Sequence, residues 1–381
     1  MKKFIKLHRS LFSLIVVTTV VLILLITLCI LKNNVAFCEW WTTHIARGYL
    51  KFMGKITEWC PFSFTEVIFV IVVLSCLLYL VWAIILFKKK KILSAINRLL
   101  TITLVVIGSI TTYVVSVELA YNRSTLPIGQ YNEEIDQTKF KELVTYYVDD
   151  LNNIINTYGV DEDGELSLPY GYNKLFSSVR NTYHILDDND YFNEYTAKIK
   201  PLMSSWLFSG FGISGMFFGP FGEAHYNTDN TNAELAFTIA HEMAHSKGVM
   251  REEDAQITAL YICLNSEDPI LRYSAYVNTL SSLLNLCRYT GNQDDYKEMY
   301  NKIDEKVWTN FTYINKHWDK KMWAYDFGEW WNNLYLKLSG QSSGTSSYSD
   351  SDTKTDDTGT VISLSRYQKV YLENYYQIIN K

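Results

Sequence analysis

Two histidines four residues apart, His241 and His245, flank a glutamate, Glu242, in the sequence His-Glu-Met-Ala-His. On a helix this spacing sets both imidazoles one turn apart on one face, where each can give a nitrogen to a single zinc ion at about 2.0–2.1 Å. Glu242 falls in the neighbouring sector, beside the water such an ion would carry. Zinc brings the pKa of that water toward neutrality, so a carboxylate there can act as general base and return the proton to a departing amine. The chemistry expected is hydrolysis of a peptide bond by zinc-activated water. A bare match of this kind arises by chance in roughly one chain in a hundred of this length, so the surroundings matter. Phe237, Ile239, Ala240, Met243 and Ala244 are apolar, as in a buried helix.

The helix needs a start, a stop and a third ligand. Thr231 and Glu234 stand in capping-box spacing and mark the start. Gly248 permits a left-handed turn that ends it. A catalytic zinc takes three protein ligands and keeps a fourth position open. The following segment, Arg251-Glu252-Glu253-Asp254-Ala255-Gln256, supplies candidates. Glu252 is preferred because a Glu-x-x-Ala pattern begins there. Gln256 lies one turn on, where it could orient a liganding histidine from behind. Glu253 and Asp254 remain open, since acidic residues also favour helix N-termini for electrostatic reasons.

Upstream, residues 210–227 hold five glycines, Phe217, Phe218 and Pro220. An extended segment or hairpin fits that composition better than a helix. Elsewhere between Leu126 and about Leu338 the apolar residues recur at helical spacing, as over Phe140–Ile155, Ala255–Leu264 and Tyr273–Leu286. A tract of Ser, Thr, Asp and Gly over 342–360 reads as a disordered insertion, because Val361–Lys381 recovers the helical pattern.

The first 121 residues are different. Ser13–Leu31, Phe64–Phe87 and Leu99–Val117 are each long and apolar enough to cross about 30 Å of hydrocarbon. Lys2, Lys3, Lys6 and Arg9 precede the first stretch, and Lys88–Lys91 with Arg98 separate the second from the third. Basic residues accumulate on the cytoplasmic side. The N-terminus is therefore expected inside, the loop 32–63 with Trp40, Trp41 and Trp59 outside, and everything after the third span extracytoplasmic. Cys38 and Cys60 share that loop and could form a disulfide. The six cysteines show no paired metal-binding spacing, and a net charge of −5 offers no basic surface for nucleic acid.

The pattern His241-Glu242-Met243-Ala244-His245, Gly248, Glu252 and Ala255 resembles a glutamate-zincin site. Together with the three N-terminal spans, Gly219-Pro220-Phe221-Gly222-Glu223-Ala224 upstream and Asn333-Leu334-Tyr335-Leu336-Lys337 downstream, it is similar to the bacterial domain of unknown function 3810 family. Gln256, where zincins of this kind often carry an acidic residue or Asn, and the acidic tract after Ser342 depart from the pattern. The resemblance implies a third ligand from a downstream glutamate. It also implies an extended strand beside the helix that binds substrate backbone by strand addition, here 215–227, with Glu223 and His225 near the cleft.

The expectation is a mainly α chain. Residues 1–121 form a three-helix membrane anchor, and 122–381 an α-rich, zincin-like (α+β) domain with an extended segment beside the motif helix. Zn2+ is the expected cofactor, a peptide or protein near the outer membrane face the substrate, and the lipid bilayer the other partner. A non-catalytic scaffold with a structural or vestigial metal is the alternative; it leaves Glu242 without a purpose. With 28 tyrosines in the chain, nothing in the sequence selects a group opposite the base to stabilise the oxyanion.

Overall fold

The computed structural model describes residues 2–131, 139–290, 293–339, 341, 344–348, 354–355 and 361–379. The chain divides into two compact units, one of residues 1–124 and 218–223, the other of 125–217 and 224–381.

The first unit runs α1 (Lys2–Leu31), α2 (Val35–Trp41), a π-helical turn (Thr42–Ala46), α3 (Arg47–Thr57), α4 (Phe64–Lys88) and α5 (Ile92–Ser116). Within it, His8–Leu31, Phe64–Lys88 and Ile92–Ser116 are long and apolar enough to cross a membrane, and most of their side chains face outward. An outward apolar face is stable in lipid and costly in water. The third helix starts at Ile92 rather than Leu99. Its polar residues are absorbed within the unit: Asn97 donates to the Ser10 hydroxyl at 3.1 Å, and the Arg98 guanidinium lies 4.1 Å from the Trp82 ring centroid. The turn shrinks to Lys89–Lys91, with Lys90 at φ +58°.

The segment between the first two spans is helical rather than a loop. Trp40 and Trp59 are exposed, while the Trp41 indole donates to the Val115 carbonyl at 3.0 Å. Cys38 and Cys60 are buried free thiols, not a disulfide. Burial alone would raise the pKa of Glu39, but hydrogen bonds and charge from buried Arg123 and from Ser124 outweigh it and lower the pKa to about 2.

Residues 218–223 complete this unit. Gly222 sits at φ +62°, and a Cβ there would lie 2.8 Å from the Gly54 nitrogen. Only glycine satisfies both constraints. Glu223 accepts from the backbone nitrogens of Phe64 (3.3 Å) and Thr65 (2.8 Å) and from the Thr65 hydroxyl (2.6 Å). Its carboxylate thus satisfies orphan donors at the positive end of α4.

The second unit is α-rich around one small sheet. It runs α6 (Phe140–Tyr158), α7 (Tyr172–Thr182), β1 (Ile199–Pro201), α8 (Ser205–Gly210), β2 (Gly215–Phe218) and β3 (Glu223–Tyr226). It continues through α9 (Asn232–Ser246), α10 (Glu252–Leu264), α11 (Pro269–Asn285), α12 (Gln293–Lys302), α13 (Glu305–Asp319) and α14 (Tyr325–Leu338). It ends with a short antiparallel pair, β4 (Lys354–Thr355) and β5 (Val361–Ser363), and α15 (Arg366–Ile379).

The expected extended segment is two four-residue strands joined by a 3-10 turn at Gly219–Phe221. The sheet order is β1-β3-β2, with β1 parallel to β3 in the register Ile199↔Ala224. Most of the tract 342–360 lies outside the described residues. Helix α15 returns to the core, burying Tyr371, whose hydroxyl hydrogen-bonds Thr279 at 2.6 Å while its carbonyl accepts from Tyr147 at 3.0 Å. At the centre, α9 is buried along nearly its whole length and packs against α7, α10, α11 and β1. Ala233, Ala236, Ala240 and Ala244 keep it thin enough for neighbours on several sides.

Removing the carboxylate at Glu223 should leave α4 poorly capped. Glu223→Ala is expected to lower the stability of the detergent-solubilised protein by about 2 kcal/mol, read as a lower unfolding temperature, and Glu223→Gln, which keeps an acceptor, by less. Equal stability of wild type and Glu223→Ala would show that the cap contributes nothing.

Candidate metal centre

The site begins with how α9 ends. Gly248 adopts φ +88°, and its N–H bonds the His245 carbonyl at 3.0 Å while the Val249 N–H bonds the Ala244 carbonyl at 3.3 Å. This is a Schellman termination, which needs a left-handed residue where glycine has no Cβ penalty. The turn brings the Val249 carbonyl back under the helix, where it lies 2.7 Å from His245 Nδ1. Nδ1 is then the protonated nitrogen, and Nε2 is left with its lone pair facing the site. Burial pushes the pKa of His245 down to about 4, against the opposing pull of Glu252. The ring is neutral at physiological pH, the form that can ligate a metal.

The same reversal starts α10 at Glu252. Its Oε2 lies 3.1 Å from His241 Nε2 and 3.7 Å from His245 Nε2, and one donor atom from each residue falls within 4.8 Å of the others. Donors bound tetrahedrally at about 2.0–2.1 Å stand roughly 3.3–3.4 Å apart, so the two carboxylate–imidazole distances bracket the value required. Two imidazole nitrogens and a carboxylate oxygen are also a donor set that zinc accepts. These residues therefore fit the ion. All three are buried, and the two rings are nearly perpendicular.

Of the three acidic candidates, Glu252 is the one brought to the histidines. The Arg366 guanidinium on α15 holds Asp254 at 2.6 Å and Glu253 at 3.1 Å, and Arg251 holds Asp254 at 2.7 Å. Gln256 makes no hydrogen bond to either imidazole; the partner that orients His245 is the Val249 carbonyl. The capping box is also different from expectation. Helix α9 starts where predicted, but the Thr231 hydroxyl donates to Glu234 Oε2 at 2.7 Å instead of accepting from the backbone. The Trp318 indole donates to the same oxygen at 2.8 Å.

Glu242 lies at the centre of the buried helix face. Its Oε2 has no hydrogen-bond partner among the described residues. Burial first, and the Glu252 charge second, raise its pKa well above the ordinary 4.5. Strand β2 passes directly against it: a Cβ on Gly215 would lie 2.6 Å from Glu242 Oε1. A Cβ there would force the Glu242 side chain to shift, and among five glycines in that stretch nothing in the sequence marked this one. Two positioning contacts also escaped the sequence reading. Tyr183, fully buried, donates its hydroxyl to the Ala240 carbonyl, and Phe217 lies 5.8 Å from the His245 ring.

The two residues assigned to substrate are placed otherwise. Both Glu223 oxygens are engaged at the N-terminus of α4, so they are not available to a peptide. His225 is fully buried on the central strand, its Nδ1 3.3 Å from the Met216 carbonyl, a contact that ties β3 to β2.

The family model described as protein of unknown function (DUF3810) matches residues 41–351, which contain the whole His241, Glu242, His245 and Glu252 constellation. The chain belongs to that family. Within this DUF3810 protein the match leaves out the first span and α15, although Arg366 of α15 holds two of the acidic residues beside the site. No curated protein and no solved structure matches the chain.

A carboxyl whose pKa is raised by folding contributes its full stability only below its unfolded value, near 4.5 for Glu242, and loses it as pH rises. Metal-stripped Glu242→Gln protein should therefore unfold at a higher temperature than metal-stripped wild type at neutral and mildly alkaline pH. The gap should close as pH falls toward 4.5. His245 is common to both proteins, so its own titration cancels to first order. A gap independent of pH would show that Glu242 carries no ionisation cost in the fold.

Proposed function

We propose that this protein is a membrane-anchored zinc metallopeptidase whose second unit lies outside the cytoplasmic membrane. The observation that carries the reading is Glu242. It is not one of the three clustered donors, yet it is buried beside them with a carboxylate oxygen that has no hydrogen-bond partner among the described residues. An unpartnered buried carboxylate is costly, and such costs concentrate where a group is needed for chemistry.

On this reading His241, His245 and Glu252 hold zinc. When bound, the ion polarises the scissile carbonyl and acidifies water. Glu242 takes the proton from the attacking water and then releases it to the departing amine. Val249 fixes the tautomer of His245. Strand β2, half-buried and at the sheet edge, is the place for a substrate backbone to add, with Gly215 setting the approach to Glu242.

Support for the orientation comes from Lys2, Lys3, Lys6, Arg9 and Lys88–Lys91, which lie at the ends of the apolar helices expected to face the cytoplasm.

Elemental analysis of the detergent-purified full chain, paired with hydrolysis of an unfolded protein substrate, tests the proposal. Wild type and Glu242→Gln should each hold about one zinc. His241→Ala and Glu252→Ala should lose it, while Glu253→Gln and Asp254→Asn retain it. Glu242→Gln should lower turnover by about 10²–10⁴-fold. Wild type that takes up no zinc, or zinc-loaded wild type no more active than Glu242→Gln, sinks the reading.

Gly215→Ala should keep its zinc but lose about a hundredfold in turnover, because the added methyl displaces the base. Unchanged turnover would mean that β2 does not set the position of Glu242.

A further inference from the structure

Helix α14 has two apolar sides. Gly328 and Leu336 face the protein and are buried, with the Phe211 backbone so close to Gly328 that a Cβ would collide with it. Phe327, Trp330, Trp331, Leu334 and Leu338 are exposed, and four of the five are more than half exposed. At about 100° per residue these five fall within a stripe of about 100°, opposite Leu336. Just before the helix, exposed Trp323 stacks on exposed Trp206 at 6.1 Å between centroids, and Phe211 joins Trp323 to Phe327. The result is one continuous aromatic surface on the second unit. Exposed apolar surface of this extent marks a binding face.

We propose that this surface docks the second unit into the interfacial layer of the lipid bilayer. Three observations select lipid. The stripe is rich in tryptophan, whose amphipathic ring favours the headgroup level, rather than in aliphatic residues alone. It is bordered along the helix by Asp326, Asn333 and Lys337, so polar groups flank the apolar stripe as they do in segments that lie flat in an interface. The unit also cannot leave the membrane. Nine residue steps separate Ser116, the last residue of the third apolar helix, from Thr125, the first of the second unit, a span of at most about 30 Å. Residues 218–223 tie the chain to the membrane unit a second time. This inference does not depend on the metal or on peptidase activity.

The test uses the full chain in vesicles of phosphatidylethanolamine and phosphatidylglycerol, comparing wild type with a Trp330→Phe, Trp331→Phe double variant. Both changes are on the exposed face and keep an aromatic ring, and the difference in fluorescence reports those two indoles. The expected difference emission is blue-shifted, quenched by phospholipid brominated near the headgroup end of its chains, and shielded from aqueous iodide. Emission typical of water-exposed indole, quenched by iodide and not by brominated lipid, overturns the proposal. So does shielding from both quenchers that disappears at low protein-to-lipid ratio, which would assign the face to a second copy of the chain.

Discussion

The centre of the second unit depends on one chain reversal, the left-handed turn at Gly248. Because Gly248 takes a conformation closed to most side chains, the chain doubles back within four residues. That reversal does two things at once: it lays the Val249 carbonyl against His245 Nδ1 and starts α10 with Glu252 facing both imidazoles. The first fixes which nitrogen of His245 is left bare. The second sets the distance over which a cation would be shared. Neither would survive a longer or looser connection, since one added residue turns the first residue of α10 by about 100°.

Around this turn the fold keeps the neighbouring charges apart by giving each a different partner. Three consecutive acidic residues begin α10, and like charges buried together would oppose folding. Arg366 and Arg251 bind Asp254, and Arg366 also reaches Glu253, so only Glu252 is left for the histidines. The C-terminal helix is thereby part of the site's electrostatics, although more than a hundred residues separate Arg366 from Glu252. Among the described residues Glu242 Oε2 receives no such relief. Its raised pKa follows from that burial and from the charge of Glu252, and ionising it in the fold costs stability.

What could be read in the sequence was local. The His241, Glu242, His245 spacing, the stop at Gly248, the choice of Glu252 and the three apolar helices each depend on residues within a few turns of one another. What could not be read was decided over distance. Glu223 looked like a cleft residue because it sits on a strand beside the motif helix, but its partners are Phe64 and Thr65, some 160 positions earlier. Gln256 had the right spacing to support a histidine, yet the Val249 carbonyl, four residues after His245, did so first. The Thr231–Glu234 pair matched a capping box in spacing, and Trp318, from α13, drew the carboxylate into a different arrangement. The helical character of α14 was implicit in its periodicity, but that its apolar residues divide between two opposite faces depends on which face the rest of the unit covers.

The contact between Gly215 and Glu242 joins the two halves of the proposed chemistry. A strand rises about 3.3 Å per residue, so a peptide added to β2 can be positioned along it only in steps of that size, and a one-residue slip turns every side chain to the other face. Since a Cβ at 215 would already overlap the Glu242 side chain, β2 runs close beside the proposed base, and the register of an added peptide would also fix which of its carbonyls stands opposite Glu242. Specificity along the substrate and placement of the base then share one structural element. On that account the glycine is required for a reason separate from flexibility: any side chain at 215 would fill the space in which the base and the substrate backbone must meet.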